Sequence, residues 1–99
     1  MSELIRKKPT LTTLYLNDNG IGNQGVTYLA DALCQSKANL RKLYLQNNKR
    51  ITNESMSILI EMFEKNQSLT TFWLTSCNIT EDGRQRLQKE TSSKNNFIF

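Results

Sequence analysis

The chain has 99 residues, of which 37% are hydrophobic and 22% charged, with a formal net charge of +4 and no histidine. That length fits one small domain, the apolar share argues against disorder, and no apolar run approaches the ~20 residues of a membrane-spanning helix. Without histidine, a cysteine or serine nucleophile has no imidazole base and histidine-containing metal sites are excluded; the modest positive charge falls short of the basic density of dedicated nucleic-acid binders.

Ser2 to Lys8 reads as the last turns of a helix, because a shift by one repeat lays Leu4 on Leu33, Ile5 on Cys34 and Lys8 on Lys37. Pro9 ends that helix by removing a backbone donor and restricting its neighbour. Met1 to Lys8 is too charged for a secretory leader, so Cys34 and Cys77 are expected to be unpaired thiols in a reducing, intracellular setting. By the same reasoning the N-x-S/T triplets at Asn53, Asn66 and Asn78 are coincidental.

Leu11 to Asn19 (LTTLYLNDN) comes next, and it recurs at Leu40 to Asn48 (LRKLYLQNN) and at Leu69 to Cys77 (LTTFWLTSC), with the same offset both times. Each copy alternates apolar and polar residues, the period of a short strand with one buried face. Asn17 to Gly20 is a turn cluster, and Ile21 a core anchor. The first helix is expected from about Asn23 to Lys37, with Val26, Leu29, Ala30 and Leu33 on its buried face and Cys34, half-buried, on its flank. Gly25 near its start permits close backbone approach.

In the second unit, Lys49-Arg50 before Ile51 adds one residue, so a bulged loop is expected. The helix, about Asn53 to Lys65, should bury Met56, Leu59, Ile60 and Phe63, and Ser55 in place of glycine suggests looser packing. Thr80 caps the third helix, with Glu81 and Asp82 favourably placed in its first turn. Leu87 is its one strong apolar anchor, and a polar last helix suits a terminal unit. Phe97-Ile98-Phe99 is either a fourth strand or a plug over the core; the strand is favoured, with Ile98 falling one full repeat after Leu69.

A strand and a helix in a unit of this size cannot bury both apolar faces alone, so neighbouring units must stack. The pattern LxxLxLxxN resembles the leucine-rich repeat family, and the unit length with a full helix resembles its ribonuclease-inhibitor-like subclass. The resemblance implies an α/β solenoid, a short right-handed horseshoe segment with a parallel sheet on the concave face and helices on the convex face. The single domain 1–99 then divides into the end of a preceding helix (1–10) and repeats at 11–39, 40–68 and 69–97, with 97–99 as the candidate fourth strand. It also implies that Asn19 and Asn48 turn inward to hydrogen-bond loop backbone, with Cys77 as the usual alternative.

Strand alternation places Tyr15, Tyr44 and Trp73 on the concave face, where rigid aromatics supply contact area at low entropy cost. Thr13, Lys42 and Thr71 flank this ladder on one side; Asn17, Gln46 and Thr75 flank it on the other as a polar rim. The expected function is a non-enzymatic protein-interaction module, with no cofactor and no metal, as a fragment of a larger regulatory or receptor protein. A basic edge formed by Lys8, Lys37, Arg41 and Lys42 supports a second reading, an acidic partner or nucleic acid bound by phosphate contacts and base stacking. Self-association through exposed solenoid ends is also expected.

Overall fold

A computed structural model of the chain describes residues 12–34, 39–66, 68–94 and 96–99. The expected helix end over residues 1–10, Pro9, the repeat leucine Leu11, and Lys8 and Lys37 of the basic edge lie outside the described residues. Four short strands, β1 (Thr13–Tyr15), β2 (Lys42–Tyr44), β3 (Thr71–Trp73) and β4 (Asn96–Ile98), form one sheet in the order β1-β2-β3-β4. All three pairings are parallel. The helices between them are α1 (Asn23–Leu33), α2 (Met56–Lys65, preceded by a 3-10 turn over Asn53–Ser55) and α3 (Glu81–Glu90).

The strands form because Leu14, Leu43, Phe72 and Phe97 alternate with neighbours that face the other way, polar or aromatic in the first three strands and Asn96 and Ile98 in the fourth, and all four apolar side chains are buried between sheet and helices. Below them Val26, Leu29, Ala30 and Leu33 of α1, Met56 and Leu59 of α2 and Leu87 of α3 complete one continuous core. Each unit contributes one layer, and α2 packs between α1 and α3. Two positions differ from the helical pattern: Ile60 and Phe63 are only partly buried, whereas Met62 is buried. Phe63 instead leans over the end of the sheet, its ring 5.1 Å from both Phe72 and Phe97. The first helix ends at Leu33 with Cys34 exposed beyond it, and the expected end at Lys37 lies outside the described residues.

The fourth strand shifts the register. Asn96 pairs with Thr71 and Ile98 with Trp73, so the step from β3 to β4 is shorter than the equal steps from β1 to β2 and from β2 to β3. Ile98 therefore does not take the place of Leu69. The third helical segment is shorter than the second, and no inserted residue precedes Ile79. The strand arrives early enough that Phe97 and Phe99 face the core and Ile98 faces outward.

Polar side chains tie the loops of neighbouring units together. Asn48 is completely buried; its Oδ1 accepts from the backbone N–H groups of Asn19 and Ile21, and its Nδ2 donates to the carbonyls of Leu16 and Leu45. Cys77 repeats one of these bonds, its Sγ donating to the Leu45 carbonyl at 3.4 Å. Asn19 departs from the expectation. Its side chain is exposed and donates to the Asn17 carbonyl, while its backbone is held by Asn48 of the next unit.

A second set of ties fixes the helix starts. Asn23 Oδ1 accepts from Thr52 N and Ser55 Oγ, and Asn53 Oδ1 accepts from Thr80 N. Ser55 is thus fully buried and bonded, not loosely packed. At the corresponding Gly83 a Cβ would come within 2.8 Å of Ile79 Cγ2, which is why glycine serves there. Three residues in one register, Asp18, Asn47 and Ser76, have φ of 61°, 63° and 60°, so every unit turns out of its strand through the left-handed region.

Candidate functional site on the outer face of the sheet

Side chains that do not point into the core line the opposite face of the sheet in three rows. The middle row runs Tyr15, Tyr44, Trp73 and Ile98, one residue per strand. The Tyr15 and Tyr44 rings are stacked, 4.7 Å apart and 4° from parallel. Trp73 meets Tyr44 edge-on at 5.2 Å and 87°. Tyr15 is 67% exposed, Trp73 37% and Ile98 43%. Among the described residues Tyr28 on α1 is the other exposed large apolar side chain, so most such surface is gathered into this strip. Sequence alternation brought the three aromatics together; Ile98 joins them through the shortened last unit.

The strip is rigid because the sheet beneath it continues past the strand ends. Leu16, Leu45 and Leu74 each donate a backbone N–H across to the next strand, at 2.9, 2.8 and 2.8 Å, and Asn47 N does the same to Thr75 O. The polar rows are less uniform than their sequence positions suggest. Lys42 is exposed and Thr13 half-buried, but Thr71 is only 7% exposed between Lys42 and Asn96, leaving it little to offer a partner. Asn17, Gln46 and Thr75 are half-buried, and the Gln46 Oε1 is enclosed without a hydrogen-bond partner among the described residues. Asp18 at the strip's edge accepts from the side-chain amides of Asn17 and Asn47.

Asn66 is a structural residue that the sequence pattern missed. It is 6% exposed, donates to the Leu33 carbonyl, and accepts from Ser68 N, Ser68 Oγ and Leu69 N, closing the turn from α2 into β3. An asparagine after a helix has no periodicity that marks it, so only the three-dimensional turn reveals it.

The described part of the helical side shows no assembled chemistry. Open clefts of about 270 and 250 Å³ lie between α2 and α3 and between α1 and α2. The second is lined in part by Cys34 and Lys65, but Lys65 is bonded at 2.7 Å to Glu61. That bond holds the exposed Glu61 carboxyl below its usual range and the Lys65 ammonium above its own. Burial pushes the Cys77 thiol up, against a smaller opposing effect of the Asn48 backbone. Among the described residues no group of histidine, cysteine or acidic side chains is placed to hold a metal ion, and no helix is long and apolar enough to cross a membrane.

A family model described as Leucine Rich repeat matches residues 7–30, 36–58 and 65–87. The chain is also similar to proteins called NACHT, LRR and PYD domains-containing protein 3: 33% identical over 78 residues to that of Rattus norvegicus, and 29% over 83 residues to that of Homo sapiens. These alignments cover 79% and 84% of this chain but only 7% and 8% of the relatives.

Proposed function

The chain belongs to the leucine-rich repeat family, and on that premise we propose that it is a non-enzymatic protein-interaction module whose binding surface is the strip Tyr15, Tyr44, Trp73 and Ile98. One observation carries this reading: among the described residues, the exposed large apolar side chains other than Tyr28 are contiguous on a hydrogen-bonded sheet that holds them in place without using them for its core. A contiguous exposed patch of this kind is costly to leave in water and marks an interaction surface. Rigid aromatics are the residues on which binding energy concentrates. The names of the relatives join leucine-rich repeats to NACHT and PYD domains; the role proposed for this chain is of that kind, a repeat module serving a larger regulatory or receptor protein.

Pull-down from cell extract with the parent and three variants tests the assignment. Trp73→Ala and Tyr44→Ala should each weaken capture of a given partner by about 2 kcal/mol, as for a central interface residue, while Lys65→Ala on the helical side should not. Circular dichroism melts exclude unfolding as the cause. Partners lost with Lys65→Ala and kept with Trp73→Ala place the interaction on the helices and end this reading.

A further inference from the structure

We propose that the segment seated on this strip is an acidic peptide, drawn by the Lys42 ammonium and the Tyr15 and Tyr44 hydroxyls; the inference rests on the outer-face reading above. The charges of the chain are sorted by element. Apart from Asp18, every described acidic residue lies on α1, α2, α3 or the 3-10 turn. The strands and the turns next to them carry Arg41, Lys42, Lys49 and Arg50 instead, all exposed.

Within the three rows on the outer face no side chain is acidic and Lys42 is the sole charged one. It lies two residues before Tyr44, so strand alternation puts both on the same face. Among the described residues its ammonium has no ion pair, the described pairs being Glu61 with Lys65 and Glu81 with Arg84. Asp18, the acid next to Asn17 at the edge of the rows, already accepts from two amides. A partner therefore meets apolar rings, phenol donors and uncompensated positive charge. Asp or Glu beside an apolar residue complements that surface, whereas Lys or Arg is repelled from it.

The same geometry argues against nucleic acid. Tyr15 and Tyr44 face each other at 4.7 Å, so no base can enter between them, and Trp73 turns its plane across Tyr44. Stacking platforms need open ring faces together with a line of cations that tracks the phosphates. A single lysine in the rows does not supply that line.

The test pans a display library of short random peptides against the folded chain, Lys42→Glu and Trp73→Ala, with a single-stranded oligothymidine as the competing probe. Lys42 is exposed, so its substitution should leave the melting curve unchanged. Peptides selected on the parent should be enriched in Asp and Glu and should bind Lys42→Glu roughly tenfold more weakly, and this difference should shrink as salt is raised. Lys42→Glu should select Lys- and Arg-rich peptides in their place. Binders that need Trp73 but show no acidic enrichment overturn the charge inference alone. A panning that yields no Trp73-dependent binder overturns the outer-face reading and this inference with it. Oligothymidine that binds more tightly than any peptide, through Tyr44, overturns the choice of protein over nucleic acid.

Discussion

Removing the Asn48 side chain tests what joins one unit to the next. Three of its four hydrogen bonds reach back into the preceding unit, accepted from Asn19 N and Ile21 N and donated to the Leu16 carbonyl, and the fourth is donated to the Leu45 carbonyl of its own unit. At a net value of about 1 kcal/mol each, Asn48→Ala should cost about 4 kcal/mol, more if the stranded backbone groups stay dry. A domain this small has a total stability on the order of 5–15 kcal/mol, so the variant should be largely unfolded under mild denaturant. Asn48→Cys keeps one of the four bonds, the donor toward Leu16 in the geometry Cys77 already uses toward Leu45, and should cost about 3 kcal/mol. Asn48→Asp keeps the acceptors but sets a buried carboxylate against two carbonyls. Its folded pKa would rise, so stability is present below the unfolded carboxyl pKa and lost as pH climbs through the folded value. Urea titration followed by circular dichroism at fixed pH measures all three. An alanine variant within about 1 kcal/mol of the parent, or a cysteine variant no better than alanine, refutes the account.

Ser76 holds a positive φ that in the other two units belongs to Asp18 and Asn47, both better suited to it. Ser76→Gly should therefore raise stability by about 0.5–1 kcal/mol, read as a higher urea midpoint; no rise removes the strain argument. Deleting Phe97 to Phe99 strips two core aromatics and uncovers the Leu74 N–H that bonds Ile98 O. A lower melting temperature and concentration-dependent association should follow, and an unchanged melt with a constant monomeric mass contradicts the role of β4. Cys34 should react with a maleimide in the native protein and Cys77 only on unfolding, with no disulfide in non-reducing mass spectrometry. Because burial raises the Cys77 pKa, its share of stability holds below the unfolded thiol pKa of about 8.5 and fades as pH rises through the folded value; Cys77→Ser should abolish that fading.

The parts of the structure that a period can encode were legible in advance. Leu43, Leu45 and Phe72 announce their buried places through repetition, and Tyr15, Tyr44 and Trp73 announce theirs by alternating with them. What the apolar pattern does not encode is a tie between unlike residues. Asn23 reaching Thr52 recurs one unit on as Asn53 reaching Thr80, yet these polar positions lie outside the apolar pattern, as does Asn66 closing a turn onto Leu33. The pattern misled in the tail for a related reason. Extrapolating the repeat sends Ile98 to the core, but a shorter helical segment brings the strand in early and turns Ile98 outward beside Trp73. Thr71 shows the converse limit: its side of the strand is right, yet its neighbours cover it.

On the proposed reading, stability and recognition are separable in this fold because they use opposite sides of the same strands. Leu45 is 1% exposed, and its truncation should cost about 2–5 kcal/mol through lost packing and a cavity. One residue away, Tyr44 contributes to the fold chiefly through its stack on Tyr15 and its edge contact with Trp73. Aromatic pairs of that kind are worth about 0.5–1.5 kcal/mol. The sheet would therefore survive without the ring, since its register is set by backbone bonds and by the leucines beneath. Natural selection on a module of this form can exchange the outer side chains unit by unit, keeping the ladder that spaces them roughly 4.8 Å apart. On the reading proposed above, that separation would let an acidic peptide be read by Lys42 and the tyrosines without the core taking part in the choice.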